Sequence, residues 1–330
     1  MKVKDQNMQT DRMDLNDDKK VICVGMALVD SIIKGFDPKP ISASGYRAVS
    51  GSLNVGGEAV NEAMAAKKLG LYTSIMCALG NDDAGDTVIG ALNRCGVNTE
   101  HVIRGKDHQT PVTTMFVNDD GTRKSVTNNS HRFNFHPEKY TDVFEGFNAV
   151  ILGSLFRAPF DDPKIITAVL KDAKSKGLLT VADTKLPNFN ILNLDDVSEA
   201  LRFIDYITPN EDEARYYTGK DDPLDMADVF LKYGVKNVVI KLGGKGCFFK
   251  NNEHTISLPS YNIEAVDATG AGDNFVAGLV SRLLRGDSIY DALRFANACG
   301  AICTTAVGAS TALLNSKQVM DLIENMDKTT

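Results

Sequence analysis

The sequence predicts an α/β protein: a three-layer α/β/α domain over residues 20–330, with a small β-sheet lid. From Val21 onward, short β-branched or apolar runs alternate with amphipathic stretches of helical period, the pattern of βαβ units on a parallel sheet. The composition is ordinary for a globular chain of 330 residues, 43% apolar and 24% charged, with 27 Gly and 10 Pro. Those values set aside collagenous, mucin-like and wholly disordered classes. The alternation breaks twice, near 32–55 and 111–128, where no helical period is present and extra strands have room to form the lid.

Residues 1–19 mix Lys, Asp, Arg, Asn and Gln without apolar period, so they bury too little surface to offset ordering entropy and read as a flexible tail. The first strand is predicted over 21–26, followed by a helix over 58–69, a strand over 73–79 and a helix over 84–95. Two strands, 112–118 and 123–127, flank an Asp120-Gly121 turn. The alternation resumes with strands over 149–152, 179–182, 206–208 and 238–242 and helices over 165–175 and 211–218. The segment 295–316 lacks charge and is long enough to span a bilayer. However, Asn297, Thr304, Thr305, Ser310 and Thr311 interrupt it, and its bulk is Ala, Gly and Cys. It reads as a buried helix of small residues followed by a turn at Gly308.

Charge and cysteines narrow the partners. Lys plus Arg number 36 against 43 Asp plus Glu, a net charge of −7, so nothing global attracts nucleic acid. The six cysteines form no CxxC pair and the N-terminus has no signal-peptide core, which points to reduced thiols in a cytoplasm. No membrane partner is expected.

The chemistry concentrates in short runs. Asp267-Ala268-Thr269-Gly270-Ala271-Gly272-Asp273 precedes an apolar-periodic helix, so the amides at 270–272 can close on an anion with the helix dipole behind them. Asp273 then has two readings, a charge complement of the helix N-terminus or the acceptor of a proton from an attacking hydroxyl. Gly56-Gly57-Glu58-Ala59-Val60-Asn61 opens another helix, with Asn61 one turn after Gly57. This run is a tight turn or a hydroxyl-binding edge. Asp30, placed just beyond the first strand, is a solvated acid or a hydroxyl acceptor. Pro209-Asn210-Glu211-Asp212-Glu213 starts a helix, its acids serving as caps or as a water-mediated hold on a hard cation. Lys241-Leu242-Gly243-Gly244-Lys245-Gly246 reads as a glycine hairpin; no GxxxxGK[ST] or GxGxxG run occurs, which argues against a P-loop and against a nicotinamide dehydrogenase.

In this order the runs resemble the PfkB family of carbohydrate kinases, the ribokinase-like fold, over roughly residues 20–326. The resemblance implies a central sheet between helical layers, a β-sheet lid, and transfer of the ATP γ-phosphoryl group to a hydroxyl of a sugar-like small molecule. It implies Asp273 as base and Gly270, Ala271 and Gly272 as the anion hole. Asp30, Gly56, Gly57 and Asn61 would hold the acceptor, and Asn210 and Glu213 would serve near Mg2+ and phosphates, Glu213 through water. Lys241, Gly243 and Gly246 match the family's nucleotide strand-turn, and Asn297 flanks the adenine. Asp267, Thr269 and Gly308 lie where many members bind a monovalent cation such as K+. Glu58 departs from the Lys usual in ribokinases, which puts ribose in doubt. Arg157 and Lys185, each after a strand end, would suit an acidic or phosphorylated acceptor or else stand as solvated charge. A homodimer through the lid is a further expectation. The rivals are a nucleoside kinase of the same fold, with Tyr46, Phe116, Phe133 and Phe135 offering surface for a base, and a non-catalytic sugar sensor, which has no need of the complete 267–273 run.

Overall fold

A computed structural model describes residues 19–35, 48–106, 108–117, 123–128 and 135–328. Its central sheet is built from β1 (Lys20–Val24), β4 (Tyr72–Met76), β9 (Ala149–Leu155), β10 (Leu179–Thr184), β11 (Tyr206–Ile207), β12 (Asn237–Lys241), β13 (Cys247–Lys250) and β14 (Thr255–Leu258). Their order is β14-β13-β12-β11-β10-β9-β1-β4. The run from β12 to β4 is parallel, and β13 and β14 extend it antiparallel. The β1 sequence KVICV and the β9 sequence AVILGSL do not alternate, because helices cover both faces and all seven β9 residues are buried.

One face packs against α1 (Glu58–Lys68), α2 (Asp83–Cys95), α7 (Ala271–Leu284), α8 (Ile289–Cys303) and α9 (Ser316–Asp327), through residues such as Val60, Val88, Val276, Phe295 and Val319. The other face packs against α3 (Pro163–Ser175), α4 (Ser198–Leu201), α5 (Glu211–Thr218) and α6 (Pro223–Lys232), through Ile166, Leu170, Ala214 and Phe230. No helix among the described residues is long and apolar enough to cross a membrane. The uncharged 295–316 segment is the buried end of α8 and the turns after it.

An accessory sheet, order β3-β2-β7-β8, stands beside the main one and is made of β2 (Leu28–Lys34), β3 (Ser50–Gly56), β7 (Val112–Val117) and β8 (Arg123–Thr127). It occupies the expected lid segments, but two details differ. Asp30 is not in a loop beyond the first strand: it lies inside β2, opposite Asn54 and Thr113. The predicted strand 73–79 is two strands, since the chain leaves the main sheet after Met76 and β5 (Ala78–Gly80) pairs with β6 (Ile103–Gly105). Residues 1–18 of the tail, the Asp120-Gly121 turn, Tyr46 and Phe133 lie outside the described residues.

Helices α6 and α9 were not predicted, although both carry start signals. Asp222 and Asn315 accept hydrogen bonds from Leu224 and Gln318 amides as N-caps, and Pro223 occupies the first turn of α6.

Candidate active site

The carboxyl ends of β9, β10 and β12 deliver Ser154, Asp183 with Lys185, and Lys241 to one edge of the main sheet. That edge is where open α/β sheets form their crevice. The N-termini of α1 and α7 meet there.

Gly270 caps α7 at φ 77, a left-handed conformation that disfavours side chains, and a Cβ there would come within 2.3 Å of Ala309 Cβ. The first-turn amides therefore open toward the crevice. Among the three expected anion-hole amides, that of Ala271 already donates to the Ala268 carbonyl at 3.2 Å. The Ala271 amide is therefore engaged within the turn itself. Lys241 Nζ lies 3.1 Å from where a Cβ on Gly272 would sit, and 2.5 Å from Asp183 Oδ1. Burial alone would lower the Lys241 pKa, but Asp183 and Glu213 raise it.

Asp273, in the first turn of α7, is 7% exposed and accepts a hydrogen bond from Asn61 Nδ2 at 2.7 Å. Burial, with the Glu58 carboxylate adding to it, pushes Asp273 up to about 6 against the pull of Lys185. Asn61 Oδ1 is buried without a protein partner among the described residues, an acceptor open to a hydroxyl. Gly57 is the N-cap of α1, and the bare backbone of Gly56 lets Asp30 approach: a Cβ there would lie 2.4 Å from Asp30 Oδ2. Burial and Glu58 raise Asp30 to about 6 as well.

On the far side, Asn210 and Glu213 form a reciprocal cap of α5, with Asn210 N–H donating to Glu213 Oε2 at 3.0 Å and Glu213 N–H to Asn210 Oδ1 at 2.9 Å. Thr184 Oγ1 also donates to Glu213 Oε2, at 2.8 Å. Next to Gly272, a cavity of about 260 Å³ is lined by Lys241, Gly243, Gly246, Phe275, Asn297 and Gly300, among others. Asp267 ties two loops: Oδ1 accepts from the amide and hydroxyl of Thr269, and Oδ2 from the Gly308 amide.

Neither candidate cation is simply solvated. Lys185 Nζ pairs with Glu58 Oε1 at 2.9 Å. Arg157 Nε donates to the Leu186 carbonyl at 2.6 Å, and its charge acts on Tyr217. Of the aromatic residues offered for a base, Phe135 is 4% exposed inside the core on the α3 side of the sheet.

Ser154, Asp183 and Glu62 escaped the sequence reading as site members, and Glu58 entered it only as a departure bearing on ribose. Ser154 left no signal, since its position depends on φ 69 at the end of β9. Glu62 left one, a lone acid among Ala59, Val60, Ala63 and Met64. It is fully buried, and neither oxygen has a partner among the described residues. Burial, then Asp183, Asp273 and Glu58, raise its pKa well above the ordinary 4.5, against Lys241. Its folded pKa exceeds its unfolded one, so its contribution is fully present below about pH 4.5 and is lost as pH rises toward the folded value. Glu62→Gln removes that loss. The variant's stability relative to the native protein should therefore grow as pH rises above about 4.5 in denaturant melts, and parallel pH profiles would refute the assignment.

Fold and site together put the chain among the α/β phosphotransferases. It belongs to the pfkB family of carbohydrate kinases, whose family model matches residues 18–316. It is 28% identical to the ribokinase of Staphylococcus aureus over 269 residues, 78% of this chain and 84% of that protein. It is 30% identical to fructokinase-2 of Zea mays over 294 residues, 81% and 84% of the two chains. It spans 57% of the length of the bifunctional ribokinase/ribose-5-phosphate isomerase A of Fructilactobacillus sanfranciscensis, at 27% identity. Among solved structures, the Arabidopsis thaliana ribokinase complexed with ribose and ATP superposes with a TM-score of 0.81 at 26% identity, covering 93% of this chain and 99% of that one.

Proposed function

We propose that the chain transfers the γ-phosphoryl group of ATP to a hydroxyl of a sugar or sugar-like small molecule, with Asp273 as general base. The 2.7 Å contact between Asn61 Nδ2 and Asp273 Oδ2 carries this reading. It joins a helix edged with hydroxyl-binding groups to a helix whose N-terminus suits phosphate, so one carboxylate faces both. Bound ATP, with magnesium, supplies the transferable group and neutralises its charge.

The residues divide the remaining work. Asp30 and Asn61 orient the acceptor, and Asp273 takes the hydroxyl proton as the oxygen attacks. Amides at Gly270 and Gly272, with Ala271 at the turn, and Lys241 receive the phosphate charge. The cavity bounded by Gly243, Gly246 and Asn297 takes the base of the nucleotide. Magnesium keeps most of its water shell and needs few protein ligands, which fits Glu213 acting through water with one oxygen already engaged by Thr184 and Asn210. Since the Asp267 carboxylate is occupied by Thr269 and Gly308, a potassium ion at this loop would rest on backbone carbonyls. The accessory sheet acts as the lid, and its outer strands β3 and β8, with Leu53 and Val126 exposed, are where a second copy pairs. The six free cysteines suit a reducing cytoplasm.

Saturation curves for both substrates test the division. Asp30→Ala removes a charged hydrogen-bond acceptor worth ~1.5–3 kcal/mol, about tenfold to just over a hundredfold in kcat/KM for the sugar, with KM for ATP nearly unchanged. Gly243 opens onto empty space at φ 57, so Gly243→Val both fills the nucleotide side and strains this turn, and it should raise KM for ATP instead. Equal losses for both substrates in Asp30→Ala would mean that the two sites are wrongly allotted.

A further inference from the structure

Two strand ends close on Glu58, the residue directly after the paired glycines that open α1. Lys185, one residue past β10, brings Nζ to 2.9 Å from Oε1. Ser154, in β9, donates its hydroxyl to Oε2 at 2.5 Å. It does so from φ 69, a conformation that a non-glycine residue keeps only when its surroundings over-determine it, and such residues gather at ligand clamps. Although burial works the other way, the ammonium and the hydroxyl hold Glu58 down to about 2, so it is ionised across the working range.

The same carboxylate stands among the groups that face the acceptor. Gly56, two residues earlier, carries the Asp30 carboxylate against its backbone, and Asn61, one turn later, donates to Asp273. The charge of Glu58 is felt at both acids. The acceptor end of the crevice therefore sets Asp30, Glu58 and Asp273 against Lys185, whose ammonium is already paired with Glu58. Arg157 spends its Nε on Leu186 and acts on Tyr217 instead.

We infer that Glu58 is a specificity-determining residue which, fixed by Lys185 and Ser154, admits acceptors that present hydroxyls beside it and rejects those that present a carboxylate or phosphate there. This rests on the phosphoryl-transfer reading above. A hydroxyl donates to a carboxylate and accepts from an ammonium, so it bridges the pair without breaking it. An anion has no such option: drawing Lys185 to itself strands Glu58 as an unpaired, half-buried charge, and staying away leaves it facing three carboxylates. Like charges brought together at a recognition site cost about a hundredfold or more in affinity.

The test measures kcat/KM for matched neutral, carboxylate and phosphate forms of pentoses and hexoses, together with competitive inhibition constants for the anionic forms. The native enzyme should favour neutral forms at least hundredfold. Glu58→Gln should strengthen inhibition by, or turnover of, the anionic forms at least tenfold relative to the neutral ones, because Lys185 is left to meet them. Lys185→Met should move the same ratio the opposite way. Opposite movements separate specificity from simple loss of structure, and either variant alone reads the sign. A native preference for anionic acceptors, or a ratio unmoved by either variant, overturns the role of Glu58 while leaving phosphoryl transfer standing. ATP-dependent phosphorylation of none of these acceptors would instead remove the transfer reading and this inference with it.

Discussion

Asp273→Asn is expected to lower kcat by about 10² to 10⁴ while leaving ATP binding close to native. The substitution keeps the side-chain shape and a carbonyl oxygen for Asn61 Nδ2, but removes the carboxylate oxygen proposed to take the hydroxyl proton. Folding should survive, because burial and Glu58 disfavour the ionised carboxylate and the amide carries no charge. The pH profile gives an independent check. Asp273 is pushed up to about 6, and the base works only when ionised, so native kcat/KM should fall as pH drops through about 6. Asp30, also near 6, contributes to the same limb. Near-native turnover in the variant, with an intact melting curve, would remove Asp273 from the chemistry.

Lys241→Met carries the second large effect, on stability as well as nucleotide binding. Lys241 and Asp183 form a buried pair at 2.5 Å, with side chains 12% and 3% exposed. Among the described residues the other hydrogen-bond donors to Asp183 are neutral, the Thr208 hydroxyl at 2.9 Å and the Thr184 amide at 3.2 Å, and the Lys185 ammonium acts on it without a hydrogen bond. Removing the ammonium strands a buried carboxylate, which typically costs about 3–5 kcal/mol, whereas removing both charges costs far less. The double variant Asp183→Asn/Lys241→Met should therefore recover most of the loss in denaturant melts. A double variant as unstable as the single one would show that the pair is not what Lys241 supplies. Nucleotide affinity should remain weak in both, since Lys241 also stands beside Gly272.

Much of the frame was legible in the chain. The chain located α5 at Glu211–Thr218 without error, because Asn210 and Glu213 cap it locally, and the core of β9, β10 and β12 within a few residues, because these strands are mainly apolar runs. The runs at 56–61 and 267–273 were equally plain as glycine-opened helix starts, and they open α1 and α7. The strand at 73–79 was misjudged because one apolar run serves two sheets, and only the pairing of Ala78–Gly80 with Ile103–Gly105 shows where the chain changes partners. Asp30 was misplaced for a related reason: its membership of β2 depends on Asn54 and Thr113, which lie far along the chain.

The sequence by itself determined the α/β alternation, the glycine-opened helix starts and the residue types available for phosphate and hydroxyl chemistry, all set by neighbours within a turn or two. Only the tertiary structure decided which charges meet. Lys185 faces Glu58 across 127 positions, so it is neither the open anion receptor nor the solvated charge that its local sequence allows, and Lys241 faces Asp183 across 58, so it reaches the crevice already paired. Electrostatic partnership falls off over a few ångströms in space, not along the chain, so the pairing of these charges is a property of the fold.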